Sequence, residues 1–283
     1  MDLRMNALPC EEYVEQAYLF RTLGERLVEG MPMQELLLQI QHELLATTKL
    51  PMAISFLATE LKHQGILADG MRRLGHYFTA WQTFVIEESE AERGRFDFGM
   101  ALRLLQAEAT YRAEQQNPQG IFFYQFESMC RNRLNYDRGL KAMSEDPCFD
   151  ERWREWILIV RRQLGLVDLA DLIFGRSQAF VLYRAQRAAE DTPPLDYPIL
   201  FGEKEGRIAF ANRHKDPLYL FAAMQRHLSY PKVPRPQPVT TGDTVDQLRQ
   251  LQRRLERIEG RIQLIEEENR HGLDISKFYQ PPT

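Results

Sequence analysis

Few residues in the sequence have a type and spacing that could do chemistry, and each competes with a plainer structural use. Glu60 and His63 stand three apart, so on a helix both project from one face, as ligands in a di-iron carboxylate bundle must. Such a bundle needs a second Glu-x-x-His pair and two more glutamates, and the other match, Glu268 to His271, falls at the end of the C-terminal helix. Glu60 and His63 therefore read as surface or structural residues, and no metal or cofactor is expected. His76, beside Tyr77 in an aromatic stretch, could act as a buried acid or base. A core or boundary histidine is the plainer reading, so His76, His63 and Glu60 stand only as the first catalytic candidates to test.

Asp168 and Asp171 could pose as paired carboxylates, but they open a predicted helix, where exposed N–H groups and the helix dipole favour negative charge. Capping is the expected role. Cys130 and Cys148 are possible nucleophiles, yet nothing in the sequence sets a histidine and an orienting acid beside either. Three cysteines at long spacings, Cys10 being the third, fit neither a disulfide framework nor a zinc site, and a reducing cytoplasm is expected. Glycine-rich phosphate loops, the Gly-x-Ser-x-Gly elbow and His-Glu-x-x-His are missing from the sequence, which lowers the prior for nucleotide-dependent or serine-hydrolase chemistry.

Basic residues interleave with aromatics at Arg131, Arg133, Tyr136 and Arg138, and again from Arg152 to Trp156, as on a nucleic-acid surface. Asp137, Glu151 and Glu155 dilute both clusters, so solvated helix faces are expected there and nucleic acid is not the expected partner. The chain carries a formal net charge of −4. Its distribution is uneven: residues 1–119 hold 11 basic against 17 acidic side chains, whereas residues 201–240 hold 7 against 3.

These residues need elements to position them, and the apolar spacing is overwhelmingly helical. Tyr13, Ala17, Phe20, Leu23 and Leu27 form one stripe over about residues 10–29, ended by Gly30. Pro32 and Pro51 open two more helices, the second closed by Gly65. Leu74, Tyr77, Phe78, Trp81, Phe84 and Val85 predict one aromatic helix over 71–86. Further stripes run from Asp97 to Asn117-Pro118, from Ile121 to Met143 with a break near Asn135, and through Trp153 to Leu164 and Leu169 to Tyr183. That makes about eight helices before residue 191. Between 198 and 211 the period changes: Ile199-Leu200-Phe201 and Arg207-Ile208-Ala209-Phe210 predict a small β-hairpin docked through Ile208 and Phe210, or their neighbours. Asp216-Pro217 opens a last core helix ending at Leu228.

Residues 231–242 are too rich in proline for a helix, and predict a stiff linker; its Pro231-x-x-Pro234 spacing could bind a polyproline reader, but a plain spacer needs none. Beyond it, Leu248, Leu255 and Ile262 take a positions and Leu251, Ile258 and Ile265 take d positions of a heptad, within a helix over 243–271. Arg254 and Arg261 at g meet Glu259 and Glu266 at e, the pairing of a parallel homomeric coil. Leu at a with Ile at d points to higher-order coils, and Asn269 at the next a position points the other way, so the subunit number stays open. Residues 272–283 form a tail.

The expected architecture is therefore all-α, with a helical body over 1–230, the linker, the oligomerising coil and the tail. The longest uncharged apolar stretch, Leu74 to Ile86, is 13 residues, short of the roughly 20 that span a bilayer. Met1 to Glu15 lacks the apolar core of a secretory leader. A mean hydropathy of −0.44 fits a folded, water-soluble chain. The leading functional expectation is a non-enzymatic cytoplasmic scaffold or adaptor, a homo-oligomer through the coil with an unidentified protein partner and no membrane. The alternative is a helical enzyme or ligand-binding protein with a pocket lined by the aromatic helix 71–86. Nucleic-acid binding through the arginine-rich helices or the basic 201–240 segment comes third.

Overall fold

A computed structural model describes residues 7–91, 96–114, 117–187 and 195–235, and four later positions, Gln252, Leu255, Glu256 and Glu259. The described residues are mainly helical and form no sheet. In the N-terminal part, α1 (Cys10–Arg26) runs into a 3-10 turn and is followed by α2 (Met33–Gln41), α3 (Leu50–Gln64), α4 (Leu67–Arg73), α5 (Ala80–Glu90) and α6 (Phe98–Glu114). Then come α7 (Pro118–Asn132), α8 (Tyr136–Ser144) and α9 (Glu151–Gln163), and last α10 (Leu169–Gly175), α11 (Gln178–Arg187), α12 (Glu203–Ala211) and α13 (Pro217–Leu228). None of these helices is long and apolar enough to cross a membrane.

Local signals set most boundaries. Gly30 and Gly65 adopt left-handed φ of 85° and 68°, where a side chain would be strained, and each ends its helix. Asn117, Asn135, Asp150, Asp168 and Asp216 cap α7 to α10 and α13 by accepting N–H groups of the first turn. Helix α1 packs on α6, α2 on α3, α8 on α9, and α10 on α12. The core runs continuously through these layers, and α7 is its axis: Ile121, Phe122, Phe123, Tyr124 and Met129 are all buried. Phe122 meets Trp156 at 4.8 Å between ring centroids, and both rings contact Phe201.

Two expected elements are corrected. The aromatic helix over 71–86 is two helices, because the chain turns at residues 74–78 and restarts at Thr79. There Thr79 and Gln82 form a capping box, the hydroxyl accepting from the Gln82 N–H while the Gln82 carbonyl oxygen accepts from the Thr79 N–H. Tyr77 and Phe78 are buried from the turn itself, and the Tyr77 hydroxyl donates to Glu12 at 2.7 Å.

The hairpin over 198–211 is not formed either. Its first half is extended: the Leu200 and Phe201 N–H groups donate to the Arg176 carbonyl, and the Gln178 N–H donates to the Phe201 carbonyl. Its second half is helix α12, capped by Gly202 with Glu203 and Glu205 in the first turn. Four alternating residues are too short a run to impose a strand. On the helix, Gly206 and Ala209 fall three apart and face inward. Gly206 permits the approach, since a Cβ there would lie 2.7 Å from that of Ala179 and closer still to Ser177. This geometry leaves Phe210, expected in the core, 39% exposed, and puts Phe201 there instead at 1%. The chain also stays packed after α13. Tyr230 and Val233 are buried, and the Asn132 side chain donates to the Pro234 carbonyl at 3.3 Å.

Phe201→Ala should therefore leave a cavity among four aromatic rings and destabilise the fold by about 3–5 kcal/mol, with Phe210→Ala costing well under half of that. Urea unfolding of both variants checks the order, and the reverse order would place Phe210 in the core.

Candidate functional site

The residues singled out by the sequence do not converge. Glu60 pairs with Arg73 at 2.8 Å, His63 is exposed on α3, and His76 is exposed on the turn between α4 and α5. Glu268 and His271 lie outside the described residues. Asp168 caps α10 through the Ala170 N–H and also accepts the His214 N–H at 2.6 Å. Asp168, Asp171 and His214 could each turn one ligand atom toward a common point. Both Asp168 oxygens already accept backbone N–H groups, however, and Arg213 stands 3.7 Å from Asp171.

Burial pushes the Cys130 thiol up to about 11 and pushes Cys148 well above its ordinary value, the latter aided by Asp146. Neither holds a thiolate at neutral pH, which is the form a nucleophile needs. Within the diluted basic clusters, Arg131 pairs with Glu127, Arg138 with Glu87 and Glu88, and Arg154 with Glu151, and nearby Arg161 pairs with Asp137.

Two constellations that sequence spacing does not reveal are assembled by the fold. The first is a buried polar centre. Arg112 of α6 binds Asp146, just beyond α8, through both terminal nitrogens, one of them at 3.1 Å, and binds Glu108 one turn back at 2.8 Å. Gln125 of α7 donates to Glu108 at 2.7 Å and to Asp146 at 3.0 Å, and the guanidinium lies 5.7 Å from the Tyr13 ring of α1.

Burial would raise Asp146, but the Arg112 guanidinium and the Cys148 N–H outweigh it and hold that carboxyl below its ordinary value. Burial raises Glu108, and neighbouring Asp146 adds to the rise. Glu108 Oε2 and Gln125 Oε1 lack partners among the described residues.

The second constellation surrounds α10. A cleft of about 580 Å³ lies between α9, α10 and the segment before α12, lined among others by Trp156, Arg162, Asp171, Leu172, Arg176 and Tyr197. None of its lining residues comes from 71–86. Arg162 and Arg176 make no ion pair with a described carboxylate, and the Arg176 guanidinium lies 4.2 Å over the Tyr197 ring. On the other side of α10, Arg187 lies 4.4 Å over Tyr183, the Tyr183 and Phe210 centroids are 6.0 Å apart, and Arg213 lies 3.8 Å over Phe210. Arg213 joins the two sides through Asp171. Chemically, this arrangement can bind planar and anionic groups; no nucleophile and base converge in it. Comparison with protein-family models, curated proteins and solved structures finds no match to this chain.

The raised Glu108 carboxyl gives a pH dependence with a definite sign. Its proton is held more tightly in the folded than in the unfolded chain, so its stabilisation is complete below the ordinary value of 4.5 and is lost as pH rises through the raised value. Glu108→Gln keeps the amide contact and cannot titrate. The urea midpoint of the native protein should fall more with rising pH above 4.5 than that of this variant, and equal slopes would contradict the raised carboxyl. Arg112→Met, which strands the Asp146 charge, should cost about 3–5 kcal/mol.

Proposed function

We propose that this chain is a non-enzymatic adaptor: a helical body that binds a protein partner, with a C-terminal coil that sets how many bodies are held together. The observation that carries the reading is Leu255. It occupies the central a position of the heptad series, it is helical, and it is 57% exposed on a single chain. A leucine at a seam position on an isolated helix is half of an interface, and covering it takes a second helix. Gln252, Glu256 and Glu259, the described neighbours, are helical and exposed as well. The other seam positions, Leu248, Leu251, Ile258, Ile262 and Ile265, lie outside the described residues.

The body supports the same reading through its stiffness. Its strongest polar interactions are buried cross-links between helices, which suits a pedestal that holds surfaces in fixed relation. Joining several such pedestals raises the effective concentration of each binding face without any new contact.

Light scattering tests the reading. Leu255→Asp combined with Ile262→Asp would bury unpaired carboxylates at the seam, and should reduce the subunit count while circular dichroism of the body is unchanged. A chain ended after Arg235, which keeps Val233 and Pro234 in place, should behave like the double variant. Equal subunit counts for all three folded proteins would remove the coil as the assembling element.

A further inference from the structure

We infer that the face formed by α11 and α12 is a binding site for single-stranded nucleic acid, held on the ladder Arg187, Tyr183, Phe210, Arg213. The inference is independent of the coil and uses residues of the body alone. Its basis is that two adjacent aromatic rings, Tyr183 and Phe210, are flanked by two guanidinium groups in one row, with the spacings 4.4, 6.0 and 3.8 Å given above. The rungs come from residues up to thirty apart in sequence, so only the packing of α12 on α10 and α11, which Gly206 permits, creates the row.

The plain alternative is that each arginine merely covers an exposed ring and complements a helix C-terminus, since Arg187 ends α11 and Arg213 follows α12. The dipole accounts for the cations. It does not account for the rings: Phe210 sits on the outward side of a helix whose inward side is Gly206 and Ala209, and Phe174, 4.9 Å away and buried, fixes it from behind.

Charge points the same way. Residues 176–187 and 203–215 together hold seven basic side chains against two acidic ones. Both acids are engaged locally, Glu203 with Arg207 and Glu205 with His227 at 2.6 Å. Among the described residues, Asp171 meets the ladder at its edge, 3.7 Å from Arg213.

A ladder of this kind matches unpaired bases. Bases stack on aromatic faces and on guanidinium planes, and their phosphates neutralise the flanking cations. A duplex keeps its base faces covered and offers only phosphates. A phospholipid surface would use the cations but has no planar groups for the rungs.

The test is fluorescence anisotropy of a labelled oligouridylate with the full chain, titrated at rising salt. Binding should weaken with salt, and should exceed that of a duplex of equal length. Phe210→Ala should weaken it on the order of tenfold or more, with Phe210→Tyr restoring it, and Arg187→Ala and Arg213→Ala should each weaken it as well. Unfolding curves confirm that these surface variants are folded. Three results would overturn the inference: absence of binding at low salt, equal affinity of Phe210→Ala and the native chain, or preferential binding to phosphatidylserine vesicles that is lost with the same variants.

Discussion

Arg112 is the interaction on which the rest of the structure hangs. A guanidinium with 2% of its surface exposed would be intolerable without partners. Its partners come from Glu108 on its own helix, Asp146 at the end of α8 and, through Gln125, from α7, with Tyr13 of α1 beside it. The polar centre therefore fixes four elements relative to one another. An apolar core would tolerate small slides between helices; a buried charge that must reach two acids, which an amide from a third helix also reaches, does not. Around this fixed centre α7 presents Phe122 and Phe123 to Phe201, which in turn ties the segment before α12 to α10 and α11.

The candidate binding surface is tied to the same framework. The cleft beside Trp156 and the ladder beyond it lie on either side of α10, and Asp168 steadies both by capping that helix while accepting the backbone N–H of His214. His214 has a left-handed φ of 59°, and this bond holds the loop that carries Arg213. The elements that carry the candidate ligand-binding groups are therefore positioned by helix caps and buried aromatic rings.

Much of the body was legible in the sequence because its helices carry their own punctuation. Gly30, Gly65, Asn117-Pro118, Asn135, Asp168 and Asp216-Pro217 fall where helices end or begin, and the stripes between them are the buried faces. Two errors share one cause, a local pattern read over too few residues. Leu74 to Val85 keeps helical spacing through a turn, and the capping box at Thr79 was the signal that could have split it. Arg207 to Phe210 alternates over four residues, and Glu203 and Glu205 after Gly202 were the competing signs of a helix start. The polar centre and the ladder were not legible, because their members stand apart in sequence and each alone looks like an ordinary solvated charge or ring. His76, His63 and Glu60 were visible for the opposite reason: they are conspicuous in sequence, whereas in the structure Glu60 is paired with Arg73 and both histidines are exposed.

The coil and the ladder together imply a specific behaviour, since a polymer with repeated bases can engage several bodies at once. The affinity for oligouridylate as a function of strand length measures this most directly, with the native chain set against Leu255→Asp combined with Ile262→Asp. If the chain is an oligomeric adaptor with one stacking face per body, the native protein should gain affinity steeply once the strand can span two faces, and the variant should gain only in proportion to the number of sites. Identical length dependence for the two would contradict it.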